Sequence, residues 1–243
     1  MAKVVILSGA GISAESGIST FRDSGGLWAE YRVEDICTAG CLETNREETI
    51  KFYDERRLEL KNAKPNKAHL EVAKLKKRYP NEIAVITQNV DNLFEKAGLS
   101  EDELIHLHGE LTKIECEDCK RVYDIGYKKL QEFNSGICPN CGSNRLRPFI
   151  VMFGEMAPRY EDLNREIQDC ELIVVIGTSG YVIGVNTLAN FIDYSILNNL
   201  EKSPVIEDRL FSKVYYKKAT EAIDDIVKDI ESFLERGALR YLS

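Results

Sequence analysis

The stretch Gly9–Trp28, GAGISAESGISTFRDSGGLW, decides how the rest of the chain is interpreted. It follows a short β-branched run, Val4–Ile6, and opens with the pattern G-x-G-x-x-G/A where a strand would end. In that pattern Gly9 allows a sharp turn, Gly11 lets the backbone approach a pyrophosphate, and Ala14 permits close packing. Beyond it the stretch continues as a long polar loop with more glycines, and we interpret it as a loop folded over a dinucleotide.

Length and composition are those of an ordinary globular protein. The 243 residues are 44% hydrophobic and 30% charged, enough for one large domain that carries a smaller one. The 40 acidic and 32 basic side chains give a formal net charge of −8, which argues against broad binding to nucleic acid or anionic membranes. No apolar run approaches the roughly 20 residues of a membrane span. Because Met1 leads almost directly into a strand, we expect no signal peptide and a cytoplasmic protein.

Short apolar strands alternate with helices, a pattern typical of a mostly parallel sheet covered on both faces. The sequence predicts strands over residues 3–7, 82–87, 103–107, 149–153, 172–176, 195–198 and 214–216. It predicts helices over residues 44–62, 66–78, 92–97, 160–168, 185–192 and 220–233. The first of these helices would begin with a capping box at Thr44–Glu47. Residues 111–147 have no strong apolar period and are interpreted as an inserted module, after which the main pattern resumes at residue 149.

Four of the seven cysteines form two C-x-x-C pairs separated by residues 120–137. This spacing is typical of a four-thiolate zinc site, and four sulfur ligands leave no open position, so the zinc would be structural. The alternatives are four unrelated buried cysteines or a nucleic-acid-binding ribbon, which the acidic chain disfavours. The predicted ligands are Cys116, Cys119, Cys138 and Cys141. The thiols without partners at ligand spacing, expected to be buried and free, are Cys37, Cys41 and Cys170.

His108 is the better candidate for a catalytic base among the three histidines. It lies beside Gly109 at the end of a predicted strand, and an ordinary imidazole pKa of about 6.5 suits proton abstraction at neutral pH. From residue type alone, a purely structural role is an equal alternative for His108. The structural role is the default for His106 and His69.

Polar and small residues follow two predicted strands, at the carboxyl edge where open α/β sheets bind ligands. Gln88–Asp91 follows one strand, and its amide and carboxylate groups can hold ribose hydroxyls or a carboxamide. The alternative for Gln88–Asp91 is a helix cap. Gly177–Gly180 follows another strand, and its small residues permit backbone approach to a cofactor or else simply turn the chain.

Taken together, these residues resemble a sirtuin, an NAD-dependent protein-lysine deacylase. The resemblance runs in order over nearly the whole chain, and the combination of motifs is specific although no single motif is. The motifs lie at residues 9–22, 87–91, 107–110, 153–155, 177–179 and 199–201, together with the paired cysteines.

The resemblance implies an α/β fold with a Rossmann-type NAD-binding domain made of residues 1–30, 80–110 and 148–243. It implies a smaller domain made of a helical insertion, residues 31–79, and the zinc module, residues 111–147. NAD+ and the acylated lysine of a protein substrate would meet in the cleft between the two domains. No nucleic-acid or membrane partner is expected, and the protein is expected to be a monomer.

In the mechanism that the resemblance implies, the acyl oxygen attacks the nicotinamide ribose and nicotinamide leaves. His108 then acts as general base on a ribose hydroxyl, Asn89 is the second catalytic residue, and the acyl group leaves as O-acyl-ADP-ribose. The opening loop would order over NAD+ and keep water from the reacting ribose. The implied cofactor-binding residues are Gly9, Ala10, Gly11, Ser13, Glu15, Phe21, Arg22, Trp28, Gln88, Asn89, Val90, Asp91, Gly177, Thr178, Ser179, Asn199, Leu200, Glu201 and Ala219. The substrate peptide would pair as an added strand with Phe153, Gly154 and Glu155.

Tyr53 and Arg56 refine the expected acyl specificity. At i and i+3 they share one helix face, and a phenol and a guanidinium there can receive a carboxylate. The alternative is that residues 54–57, DERR, form a solvated helix face. The motif Y-x-x-R is similar to that of class III sirtuins, which remove succinyl and malonyl groups, so we expect these activities beside deacetylation.

The chain departs from the family pattern at three places. Ser19 stands where the family usually has proline, Lys217 replaces a usual glycine, and the segment after Val182 lacks a common proline. Two other classes remain as alternatives: a nicotinamide-dependent oxidoreductase, which would share the opening turn but leave the zinc module unexplained, and a non-enzymatic zinc-ribbon binding protein. Relative acyl rates and an ADP-ribosyltransferase side activity are left open by the sequence.

Overall fold

The computed structural model describes residues 2–19 and 33–240. Its strands are β1 Val4–Ser8, β2 Ile83–Thr87, β3 Leu104–His106, β4 Gly109–Cys116, β5 Val122–Asp124, β6 Leu146–Ile150, β7 Leu172–Ile176, β8 Tyr194–Asn199 and β9 Lys213–Tyr216. Its helices are α1 Val33–Ile36, α2 Cys41–Thr44, α3 Arg46–Leu60, α4 Lys67–Arg78, α5 Leu93–Lys96, α6 Tyr160–Ile167, α7 Val185–Phe191 and α8 Ala219–Arg240. None of these helices is both long enough and apolar enough to cross a membrane.

The larger sheet has six parallel strands in the order β3-β2-β1-β7-β8-β9. The first strand, β1, lies in the middle of the sheet. Strands β2 and β3 are added in turn on one side of β1, and strands β7, β8 and β9 are added in turn on the other side. Every residue of β1, β2 and β7 is buried, as expected for runs of β-branched and aliphatic residues in a sheet covered on both faces. This is the strand order of the Rossmann fold, whose ligand-binding crevice lies at the carboxyl ends of the strands where the strand order reverses, between β1 and β7.

Helices cover both faces of the six-stranded sheet, which confirms the predicted α/β class. On one face, α4 and α8 pack against alternate residues of the central strands through apolar stripes that include Val72 and Ile226. On the other face, α6 and α7 pack against the remaining strand residues through Leu163 and Val185. Alternate residues of a strand point to opposite faces, so each strand contributes to both cores.

The smaller sheet is antiparallel, in the order β5-β4-β6. Helix α3 contains a buried ion pair, and its arginine also bonds to the backbone of β4. The Arg57 guanidinium pairs with the Asp54 carboxylate, and Arg57 Nε donates to the Leu111 carbonyl oxygen at 2.6 Å. The Leu130 amide donates to Asp54 Oδ1 at 3.0 Å. Asp54 and Arg57 are both buried, so a fully solvated face for residues 54–57 is wrong.

The predicted elements are confirmed, most of them to within two residues, but four details are wrong. The segment predicted to resume the main sheet at 149–153 is β6, which pairs with β4 in the smaller sheet; its burial alternates, as suits a sheet with one buried face. The predicted capping box at Thr44–Glu47 is absent, because Thr44 ends α2 and its hydroxyl donates back to the Gly40 carbonyl oxygen. Strands β4 and β5 also form inside the inserted module, and α8 continues beyond the predicted helix end.

Candidate active site

The carboxyl ends of the central strands meet at one edge of the six-stranded sheet. Ser8 lies beside Thr87 on one side and Ile176 on the other, so the residues that follow these three strands are neighbours. Backbone hydrogen bonds fix them there: the Gly9 amide donates to the Ile176 carbonyl oxygen, and the Gln88 amide to the Ser8 carbonyl oxygen, both at 2.9 Å. The structure therefore brings the three predicted motifs that follow β1, β2 and β7 into one place.

The two glycine turns are in direct contact. The Gly11 amide donates to the Gly177 carbonyl oxygen at 2.8 Å, and a Cβ on Gly11 would lie 2.7 Å from Gly177 Cα. The close approach that requires glycine at position 11 is thus to the backbone of the second turn. The predicted packing role of Ala14 is wrong, because Ala14 is exposed in a short 3-10 turn, Ala14–Ser16.

Ser13 is the centre of a buried hydrogen-bond network below these turns. Its hydroxyl donates to Asp91 Oδ2 at 2.8 Å and accepts from Asn89 Nδ2 at 3.0 Å and from His69 Nε2 at 3.3 Å. Burial lowers the pKa of His69 to about 4, so this histidine is neutral. Burial also raises the pKa of Asp91, although the hydrogen bonds from Ser13 and the Leu93 amide oppose it. Asp91 therefore has two roles. One carboxylate oxygen accepts from Ser13, and the other accepts from the Leu93 amide at the start of α5, as the helix-cap alternative requires.

His106 supports the Gln88–Asp91 segment from below. Its Nδ1 donates to the Asn89 carbonyl oxygen at 2.9 Å, and its Nε2 lies 2.9 Å from Glu95 Oε1. Burial acts to lower the pKa of His106, but the hydrogen bond and charge of Glu95 outweigh it and the pKa is raised. His106 is therefore a structural histidine, as the default interpretation expects, and it holds the backbone of Asn89.

His108 faces the same edge with a defined proton arrangement. Its Nδ1 donates to the Gln88 carbonyl oxygen at 2.9 Å, since a carbonyl oxygen can only accept. In the neutral ring Nε2 is then the acceptor, and the Tyr160 hydroxyl lies 2.9 Å from it. Burial lowers the pKa of His108, with the Gln88 carbonyl acting in the opposite direction. A half-buried neutral imidazole with a fixed lone pair can take a proton from a ligand hydroxyl.

The far end of this edge carries a buried polar atom with no protein partner. Asn199 ends β8, its residue is buried, and its Nδ2 has no hydrogen-bond partner among the described residues. Leu200 and Glu201 follow Asn199 and are exposed. The Lys217 amide donates to the Asn199 carbonyl oxygen, and Ala219, two residues further on, begins α8. An unsatisfied buried amide costs about 1–3 kcal/mol, so a ligand acceptor at this position would be favourable.

The remaining predicted cofactor residues occupy different environments. The Glu15 carboxylate accepts from the amide and hydroxyl of Thr220, at 3.1 and 2.8 Å, and so connects the first turn to the start of α8. Thr178 Oγ1 accepts from Gln88 Nε2 at 3.2 Å, and the Ser179 carbonyl oxygen accepts from Ser203. Three predicted residues lie outside the described residues: Phe21, Arg22 and Trp28.

Tyr53 and Arg56 lie on α3 with their polar groups buried. The Tyr53 hydroxyl donates to Cys37 Sγ at 3.5 Å, and burial raises the Tyr53 pKa well above its usual range. Arg56 Nη2 donates to the Ser19 carbonyl oxygen at 3.2 Å, and Arg56 Nη1 lies 3.8 Å from the Glu59 carboxylate. Burial lowers the pKa of the Arg56 guanidinium, and the charge of Glu59 opposes this shift.

The segment predicted to receive a peptide is already partly paired within the chain. The Phe153 amide donates to the Cys37 carbonyl oxygen at 2.8 Å, and the Phe153 carbonyl oxygen accepts from Ala39 at 2.7 Å. The Glu155 carboxylate accepts a bidentate pair from Arg147, at 2.7 and 2.9 Å, and the Glu155 amide bonds to Met152. Of the three predicted residues, only Gly154 has no backbone hydrogen bond within the described part of the chain.

The four predicted zinc ligands come together at the end of the smaller sheet. The sulfur atoms of Cys116, Cys119, Cys138 and Cys141 all lie within 4.8 Å of one another. Two pairs, Cys116 with Cys141 and Cys119 with Cys138, are 3.6 Å apart. Tetrahedral zinc with Zn–S bonds of about 2.3 Å requires sulfur atoms about 3.8 Å apart, so the cluster fits a structural Zn²⁺. The other three cysteines are buried free thiols, as expected.

Two side-chain contacts of the site could not be predicted specifically from the sequence. Tyr160 reaches His108 from a helix 52 positions further along the chain, and nothing in its spacing indicates this. The bond between His106 and Glu95 could be suspected only from the general pairing of histidine with carboxylate.

The fold and the site define a class: a Rossmann-type dinucleotide-binding protein with a four-cysteine module and a histidine at the ligand-binding edge. Comparison with known proteins narrows this class. Residues 9–184 match the Sir2 family, and the chain belongs to that family.

Full-length relatives carry a common name. A protein of Campylobacter jejuni (strain RM1221) named NAD-dependent protein deacylase is 44% identical over 237 residues, which cover 98% of this chain and 99% of that protein. A protein of Escherichia coli (strain K12) with the same name is 36% identical over 246 residues, 98% of this chain and 85% of that protein.

Solved Sir2 structures superpose on the whole chain. A Sir2 homologue in complex with NAD gives a TM-score of 0.81 at 35% identity, covering 95% of this chain and 90% of that one. A mutant Sir2 homologue in complex with ADP-ribose gives 0.82 at 34% identity, covering 96% and 93%.

Proposed function

We propose that this protein is an NAD+-dependent protein-lysine deacylase that transfers acyl groups from lysine side chains to ADP-ribose. The products would be nicotinamide, O-acyl-ADP-ribose and free lysine. Family membership and the names of the full-length relatives support this function. The observation that carries it is His108, a neutral base with a fixed tautomer at the carboxyl edge where a Rossmann fold binds its dinucleotide.

The residues at this edge fit a dinucleotide. A Cβ on Gly9 would lie 2.8 Å from the Gly177 carbonyl oxygen, so glycine at position 9 allows the two turns to come together at the ligand-binding edge. At the far end, Asn199 Nδ2 has no hydrogen-bond partner in the described part of the chain and supplies a buried donor. NAD+ would supply the ribose carbon that accepts the acyl oxygen as nicotinamide leaves.

The residues of the chain would orient the reaction and move one proton. Ser13 and Asp91 hold the side chain of Asn89, and His106 holds its backbone, so Asn89 is presented rigidly to a ligand. We assign His108 as the base that takes a ribose hydroxyl proton at Nε2. The phosphate and adenosine end would lie along Gly177–Ser179 and Asn199–Glu201.

We also propose the two-domain division, with residues 1–30, 80–110 and 148–243 in the larger domain and residues 31–79 and 111–147 in the smaller. The hydrogen bond from buried Arg57 of α3 to the Leu111 carbonyl oxygen of β4 supports the grouping of α3 with the smaller sheet. Because β6 pairs with β4, we move one boundary of the smaller domain past Ile150. Because α4 packs against the six-stranded sheet, we assign α4 to the larger domain. A cytoplasmic location is proposed on cysteine usage, since paired C-x-x-C thiolates favour a reducing compartment.

Peptide-dependent nicotinamide release tests the activity. Purified protein is incubated with NAD+ and an acetyl-lysine peptide, and nicotinamide and O-acetyl-ADP-ribose are measured by mass spectrometry. Both products should require the peptide. NADH absorbance in place of nicotinamide would support the oxidoreductase, and absence of any turnover would support a zinc-ribbon binding protein.

We further propose that Arg56, with Tyr53, receives the carboxylate of succinyl and malonyl lysine. Arg56 and Tyr53 are both buried and lie one helix turn apart on α3, and a buried cation favours a carboxylate as its partner. A buried hydrogen bond to a charged group contributes about 1.5–3 kcal/mol. Arg56→Met should therefore lower kcat/KM for a succinyl peptide by about 10–150-fold.

The comparison across acyl groups makes this test specific. Arg56→Met should change kcat/KM for the matched acetyl peptide by less than about threefold, because that substrate has no carboxylate to bind. The control variant is Arg209→Met, which removes an exposed arginine. Equal losses on acetyl and succinyl peptides would overturn the assignment while leaving deacylase activity itself intact.

A further inference from the structure

The Tyr160 hydroxyl occupies the one nitrogen of His108 that can accept a proton. Nδ1 of His108 carries a hydrogen because it bonds to the Gln88 carbonyl oxygen, which cannot donate. Nε2 of the neutral ring therefore has the lone pair, and Tyr160 donates to it at 2.9 Å. Because an imidazole nitrogen has a single lone pair in the ring plane, only one donor can occupy it well.

Tyr160 is held in this position by its place in the fold. It is the first residue of α6, and its ring is tilted 47° to the His108 ring with the ring centres 5.8 Å apart. The ring also packs against the core beneath α6 and α7. Burial raises the pKa of the Tyr160 phenol, so it keeps its proton and remains a donor.

We propose that Tyr160 is a positioning residue, which holds His108 in its neutral, Nδ1-protonated form and covers Nε2 until a ribose hydroxyl displaces it. The displacement of Tyr160 by a ribose hydroxyl rests on the proposed function. The control of the His108 proton by Tyr160 does not, because it concerns the protein without substrate.

The environment of His108 leaves Tyr160 as the main group that can act on it. The hydrogen-bonding partners of the ring among the described residues are the Gln88 carbonyl at the end of β2 and the Tyr160 hydroxyl of α6. Within the same residues, no carboxylate, lysine or arginine forms an ion pair with the ring. Asp91 and His69, the titratable groups of the neighbouring network, are directed to Ser13. His106 is directed to the Asn89 carbonyl oxygen and to Glu95.

The test is the titration of His108 in Tyr160→Phe, which removes the hydroxyl and keeps the ring. The protein has three histidines, so their ring signals are resolved by NMR, and His108→Asn identifies the signal of His108. A donor to Nε2 favours the neutral ring, so its loss should raise the His108 pKa by about one unit. The matched control is Tyr215→Phe, which removes a hydroxyl that donates to Asp229 at 2.6 Å.

Kinetics test the displacement separately. In Tyr160→Phe the acid limb of kcat/KM should move to higher pH by the same shift as the NMR titration. KM for NAD+ at high pH should fall about threefold or more, because the ribose hydroxyl no longer competes with the phenol, while kcat changes less. Tyr215→Phe should show neither change.

The outcomes are distinct. A His108 pKa equal in Tyr160→Phe and Tyr215→Phe would overturn control by Tyr160, whether or not the protein is a deacylase. A shifted pKa with an unchanged or higher KM for NAD+ would overturn the displacement. A shifted pKa in a protein without nicotinamide release would support the positioning role and reject the proposed function.

Discussion

Replacing Arg57 with methionine should destabilise the protein more than any surface substitution. The Arg57 side chain is wholly buried and pairs with the Asp54 carboxylate. Its guanidinium also donates to two backbone carbonyl oxygens, of Leu111 at 2.6 Å and Lys128 at 3.2 Å. Arg57→Met would fill much of the volume but leave a buried carboxylate without its cation and two carbonyl oxygens without their donor.

The expected loss follows from the buried charge. Removing one partner of a buried ion pair costs about 3–5 kcal/mol, because the remaining ion is uncompensated. For a chain of this size that corresponds to a fall in melting temperature of roughly 6–20 °C. The measurement is urea unfolding of the zinc-loaded protein, followed by circular dichroism and by tryptophan fluorescence.

Two controls separate the buried charge from the loss of an arginine as such. Arg209→Met removes an exposed arginine paired with Glu207 and should cost no more than about 0.5 kcal/mol. Adding Asp54→Asn to Arg57→Met removes the stranded charge but keeps an acceptor for the Leu130 amide, and should recover part of the loss. The reasoning fails if Arg57→Met costs no more than Arg209→Met, or if the double variant recovers nothing.

The remaining predictions concern acid and zinc. His69 is buried with a pKa of about 4, so the unfolded chain, in which its pKa is about 6.5, binds more protons as the pH falls below that value. Stability should therefore decrease on acidification, with this group contributing about 2 kcal/mol of loss by pH 5. The free energy of unfolding, measured with urea at pH 7.5 and at pH 5, should differ by about 2 kcal/mol less in His69→Gln than in the unmodified protein. An equal difference in the two proteins would contradict this prediction. The protein should bind one zinc per chain and Cys119→Ser none, by elemental analysis. Chelation should expose the amides of residues 116–147 to hydrogen exchange before those of the six-stranded sheet, and unchanged protection there would refute a structural zinc.

The edge of the sheet that carries the site was predictable because its signals are local. Apolar runs mark β1, β2 and β7, and in parallel strands the residues after each run must share one edge. The cysteine spacing likewise specifies a cluster without knowledge of the fold. Both predictions depend only on residues close to each other in sequence.

Contacts between distant segments were not predictable in the same way. Residues 54–57 have the composition of a solvated helix face, and only the position of the smaller sheet shows that Arg57 is buried against Leu111. The apolar run at residues 149–153 indicates a strand but not which sheet receives it. Gly11 belongs to a recognisable pattern, yet the close contact that requires glycine there is with the backbone of Gly177, in the turn after β7.

The central place of β1 has a consequence for how the chain folds during synthesis. Its neighbour β2 is complete at Thr87, but its other neighbour, β7, is made only after residues 88–171. At about 5–20 residues per second, the second side of β1 stays unpaired for several seconds. Four of the five residues of β1 are apolar and all five are buried in the finished protein. During that interval the nascent chain would therefore expose an unpaired backbone edge beside apolar side chains, a combination that favours aggregation.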